Sequence, residues 1–84
     1  MITIDKIKIY KQYNGDIDGL ARVGTKEEKS TMNDNDWFLI EGFIWDINFV
    51  KKGLASDTLM NSINERLKEN CDSEETSQAV KEIV

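Results

Sequence analysis

The sequence predicts an all-α fold, a small bundle of about four or five short helices around a central helix at about residues 36–52. Apolar residues recur at helical spacing through this central stretch and again from Leu59 to Leu67. Residues typical of helix ends flank both stretches. A chain of 84 residues forms one domain, so residues 1–84 are treated as a single helical unit.

The first element is expected to be a helix from about Ile4 to Tyr13, with Thr3 as its N-cap. The apolar residues of this stretch share an arc of the helical wheel: Ile7, Ile9, Tyr10 and Tyr13. The alternative is an α+β fold with a short N-terminal strand or hairpin, turning at Asn14-Gly15. A single strand is disfavoured because the isoleucines change phase within it.

Residues 14–24 are interpreted as a glycine-rich loop, with Leu20 and Val23 tucked beneath it. Thr25 and Glu28 form a capping box, which predicts a short helix through about residue 32.

The loop contains oxygen-bearing side chains at alternating positions, Asn14, Asp16 and Asp18, followed by Gly19. This spacing resembles the first half of an EF-hand calcium loop. The resemblance covers six residues and then fails, since Thr25 occupies the position of the bidentate glutamate. We therefore expect an Asx-type turn here and no metal site.

The central helix carries two apolar faces. Its broad face contains most of the large residues: Trp37, Leu39, Ile40, Phe43, Ile44, Ile47 and Val50. A narrower stripe of Phe38, Trp45 and Phe49 lies nearly opposite.

The stripe has two explanations. In the commoner one, other elements cover the central helix on both sides, because large aromatic residues are usually core. In the other, Phe38, Trp45 and Phe49 stay open for a partner. An 84-residue chain has few residues with which to cover both faces.

The ends of the central helix are marked by candidate N-caps at Asn33 and Asn35 and by Gly53 as the C-terminal stop. Gly42 lies inside the helix, where glycine costs roughly 1 kcal/mol against alanine. We expect it to admit a closely approaching backbone.

Two further helices are predicted. The first begins at Ser56 as N-cap and runs to about Glu69, with one apolar stripe. The second follows a capping pair of Asp72 and Glu75 and ends the chain.

The composition limits the function. A net charge of −5 and a pI near 4.6 argue against nucleic-acid and anionic-membrane surfaces. The chain has no histidine and one cysteine, Cys71, which argues against the usual catalytic triads and favours a reducing, cytoplasmic location. No cofactor motif is present.

The sequence therefore favours a non-enzymatic protein-interaction module that uses Phe38, Trp45 and Phe49 and binds a protein partner or a second copy of itself as a homodimer. The alternative is a small acidic protein of the immunity or antitoxin kind that neutralises a basic partner.

Overall fold

The computed structural model describes all 84 residues and contains six helices and no β-strand, which confirms the all-α class. The helices, in chain order, are α1 (Ile4–Gln12), α2 (Ile17–Val23), α3 (Lys26–Thr31), α4 (Asp34–Lys51), α5 (Asp57–Asn70) and α6 (Glu74–Ile83). None of them has the length and apolar character of a membrane span.

The N-terminal segment is helical, so the α+β alternative is wrong. Thr3 caps α1 as predicted, and its hydroxyl oxygen accepts a hydrogen bond from the backbone N–H of Lys6. The only strand-like pairing is an isolated bridge between Ile2 and Cys71. Through it the start of the chain is held against the α5–α6 junction, and Ile2 is completely buried.

The prediction of a loop over residues 14–24 is wrong in its second half, where α2 forms. Asp16 starts this helix by accepting a hydrogen bond from the backbone N–H of Asp18, at 3.1 Å. Within residues 14–24, left-handed backbone is confined to Asn14 and Gly15. Leu20 is buried as expected, whereas Val23 is 74% exposed.

The remaining helix caps lie at the predicted residues or next to them. Thr25 and Glu28 form the predicted capping box, Asn33 caps α4, and Gly53 takes the left-handed conformation after it. Ser56 precedes α5 without a side-chain cap hydrogen bond. The cap of α6 is Ser73, one residue after the predicted Asp72.

The core is a single cluster of 13 buried apolar residues, to which every helix except α3 contributes. α4 contacts α5, α6 and α1, while α2 and α3 contact each other at the edge. Within α5, Asn70 lies beside Phe38 of α4 and Arg66 pairs with Asp46 further along α4, so the two helices run antiparallel. These neighbours all engage the same broad face of α4.

Candidate interaction surface

The broad face of α4 forms the centre of the core. Trp37 and Ile40 are completely buried, and Phe43 and Ile47 nearly so. The ring of Tyr10 on α1 packs against Trp37 with 4.7 Å between ring centroids. This half of the helical-wheel prediction is confirmed.

The opposite face of α4 is open to solvent. Phe38 is 56% exposed, Trp45 71% and Phe49 42%. The expectation that α4 would be covered on both sides is therefore wrong. Its physical cause is the shortness of the chain, because α1, α5 and α6 are all used on the broad face, and the short helices α2 and α3 pack at the edge of the domain and do not cover the other face. We call Phe38, Trp45 and Phe49 the aromatic face.

Gly42 lies in the middle of the aromatic face, between Phe38 and Trp45 in sequence. The predicted close approach of a backbone is absent, since a Cβ atom added at Gly42 would meet nothing within 4 Å. The glycine instead leaves a gap between the exposed rings. Nothing in the packing of the single chain requires it.

Gly42→Ala is expected to raise the free energy of unfolding by about 0.5–1 kcal/mol, because glycine inside a helix costs this much relative to alanine and the new methyl group meets open space. Urea denaturation followed by circular dichroism measures the change. A lower stability than that of the wild type would contradict the open environment of Gly42.

One flank of the aromatic face is fixed by a charged pair between helices. Arg66 of α5 donates to Asp46 of α4 at 2.6 Å, and its guanidinium lies 5.3 Å from the centre of the Phe43 ring. These groups border a groove of about 240 Å³ that begins at Phe38 and Gly42. The groove is smaller than the usual site of a drug-sized ligand, about 300–1,000 Å³.

The aromatic face continues past the end of α4 onto Leu54, which is 62% exposed. Leu54 and Lys52 border a second, smaller groove together with Trp45 and Phe49. Sequence reasoning missed Leu54. Its position next to the stop residue Gly53 was the available signal, because an apolar residue after the C-terminal glycine commonly packs back on the helix.

The EF-hand-like residues have structural roles. The Asp16 carboxylate makes the expected Asx-type turn, and Asp18 lies in the first turn of α2. The Arg22 guanidinium donates to the backbone carbonyl of Asp18 and not to a carboxylate. No group of three or more His, Cys, Asp or Glu side chains that could hold a metal ion occurs in the structure.

Cys71 is buried at the C-terminus of α5, where it belongs to the core. Burial raises the pKa of its thiol, and the Ser77 hydrogen bond only partly opposes this effect. The thiolate form that a nucleophile requires is therefore disfavoured.

Comparison with family models, curated proteins and solved structures found no match to this chain.

Proposed function

We propose that the protein is a non-enzymatic interaction module and that the aromatic face of α4 is its protein-binding surface. The observation that carries this proposal is the exposure of three aromatic rings on one side of a helix whose other side is fully used in the core. Exposed aromatic clusters with polar borders are typical of protein interfaces.

The three residues of the aromatic face have the chemistry of interface hot spots. Trp and Tyr dominate the binding energy of many interfaces, and aromatic side chains supply large contact areas. The polar border is present on both sides, with Glu41 and Asn48 on one flank and Asp46 with Arg66 on the other. Such a border excludes water from the central contacts.

A protein partner fits this surface better than other ligand classes. The grooves at Phe38 and Phe49 are small, about 240 Å³ and 190 Å³, and the larger groove of about 440 Å³ beside Trp45 is open to solvent; none of the three encloses a small organic ligand. The net charge of −5 disfavours nucleic acids and anionic membranes. The missing histidine and the buried thiol of Cys71 support a non-enzymatic role, and a free thiol supports a cytoplasmic one.

The test is site-specific photocrosslinking in the native cells, with p-benzoylphenylalanine in place of Trp45. Val23 provides the matched control position, because it is exposed to nearly the same degree, 74% against 71%, and lies on α2. We expect a discrete adduct from position 45 and none from position 23. Equal labelling at both positions, or no adduct at either, would overturn the proposal.

A second candidate function rests on the acidic C-terminal part of the chain. Glu69, Asp72, Glu74 and Glu75 are all exposed around the α5–α6 junction. They would attract a basic partner, as in immunity proteins and antitoxins. Photocrosslinking from Gln78 on α6, with an adduct that disappears at high salt, would favour this candidate over the aromatic face.

A further inference from the structure

Resting on the proposed function, we propose that the aromatic face binds a second copy of this chain, with the two α4 helices packed antiparallel. The central observation is the spacing of the exposed positions. They alternate in steps of four and three residues: Asn35, Phe38, Gly42, Trp45, Phe49 and Lys52. This is the spacing of a coiled-coil seam, displayed on the outside of the domain, with aromatic residues at three of its six positions.

The seam is complementary to itself when one copy is reversed. If position 38 faces position 49 of the second copy, position 42 faces position 45, and position 35 faces position 52. Each pair of facing residues forms one layer of the interface, and each layer combines an a position of one helix with a d position of the other. The large Trp45 ring lies opposite the gap at Gly42, and Phe38 lies opposite Phe49.

The side-chain volumes in each layer favour the antiparallel arrangement over a parallel one. In a parallel pair, two Trp45 rings would share one layer and two Gly42 residues another, which gives one overfilled layer and one cavity. Overpacking and cavities both destabilise packed helices. In the antiparallel pair each layer contains one large and one small residue, or two phenylalanines, and the layers interdigitate.

Charges favour the same orientation. Asp34 at the beginning of α4 is exposed and lies on the same side of the helix as Lys52, the last position of the seam, and neither forms an ion pair within the chain. In the antiparallel pair each Asp34 lies beside Lys52 of the second copy, which creates two equivalent ion pairs. The opposed helix dipoles add a favourable interaction.

The area available is sufficient for a specific but moderate dimer. The exposed parts of the three rings contribute about 400 Å² per copy, and their neighbours on the seam raise this to about 600 Å². Two copies then bury about 1,200 Å², the lower end of the range for specific interfaces. We expect a dissociation constant on the order of 10 μM.

The test is sedimentation equilibrium of the purified full chain over concentrations that bracket this dissociation constant. Asp34→Lys and Lys52→Asp should each weaken dimerisation about tenfold, because each replaces two attractions by two repulsions. The double variant restores both ion pairs and should dimerise as the wild type does. If the two helices packed parallel, the double variant would not restore dimerisation.

Gly42→Leu provides an independent variant that does not depend on charge. Leucine is a good helix former and meets open space in the single chain, so the fold should be retained. It fills the gap that receives Trp45, and we expect dimerisation to weaken at least tenfold. Gln78→Leu, at an exposed position of α6, is the matched control and should leave dimerisation unchanged.

The outcomes separate this inference from the proposed function. A wild-type chain that stays monomeric, or a Gly42→Leu variant that associates more strongly, overturns the antiparallel dimer. An adduct from position 45 with a different protein would overturn it as well while supporting the interaction module. An adduct with twice the mass of the chain, together with the charge-swap restoration, supports both.

Discussion

Trp37→Ala is expected to lower the free energy of unfolding by about 3–5 kcal/mol, whereas Trp45→Ala should change it by less than about 0.5 kcal/mol. The two tryptophans belong to the same helix, but Trp37 is completely buried and Trp45 is 71% exposed. Truncation of Trp37 leaves a cavity at the centre of the core and removes its contact with Tyr10.

The contacts of Trp37 are those of packing, and its buried indole N–H makes no hydrogen bond within the chain. A domain of this size has a total stability on the order of 5–10 kcal/mol, so Trp37→Ala removes a large part of it. Urea denaturation at 25 °C, followed by circular dichroism, measures both variants. Ile47→Val, which removes one buried methyl group, is a milder core control with an expected loss of about 1 kcal/mol.

Equal losses for Trp37→Ala and Trp45→Ala would contradict the assignment of one face to the core and the other to solvent. A small effect of Trp45→Ala would also make it the suitable variant for binding experiments. Its loss of dimerisation could then be attributed to the surface and not to unfolding.

The sequence predicted the elements whose signals are local. The capping box at Thr25 and the stop at Gly53 each specify backbone geometry within a few residues, and both appear in the structure; of the two candidate caps of α4, Asn33 is the cap and Asn35 lies inside the helix. The broad face of α4 was equally predictable, because burial follows helical periodicity.

Features that depend on the whole chain were not predictable in the same way. Gly15, Gly19 and Gly24 suggested a loop, but burial of Leu20 and the cap at Asp16 stabilise α2 despite Gly19 in its interior. Whether Phe38, Trp45 and Phe49 were covered depended on the number of elements left over after the broad face was packed. That number follows from the tertiary arrangement and not from any local pattern.

Asp36, in the first turn of α4, is a buried charged residue that no local sequence pattern marks. Its side chain is buried, with 3% exposed, and it accepts hydrogen bonds from Lys6 Nζ and Asn33 Nδ2. The N-terminal amino group lies 3.4 Å from its other oxygen. A buried carboxylate needs this compensation, since desolvation of an unpaired charge is very unfavourable. Asp36 therefore joins α1 to the start of α4.

The pKa of Asp36 reflects these opposing effects. Burial by itself raises the pKa, but the hydrogen bond and positive charge of Lys6, together with the N-terminal amino group, outweigh burial and lower it below the ordinary value of an aspartate. Because the folded pKa lies below the unfolded one, the carboxylate stabilises the fold fully above the unfolded pKa of about 4. This contribution is lost as the pH falls through the folded pKa.

Asp36→Asn is therefore expected to lower the free energy of unfolding by about 3 kcal/mol at neutral pH, because it leaves the largely buried ammonium group of Lys6 without its partner. The difference from the wild type should shrink below about pH 4, as the wild-type carboxylate is itself protonated. Urea denaturation across this pH range measures both quantities. Asp46→Asn is the control, since its more exposed pair with Arg66 should contribute less than about 1 kcal/mol. A stability difference at Asp36 that does not vary with pH would show that its neutral hydrogen bonds, and not its charge, hold α1 against α4.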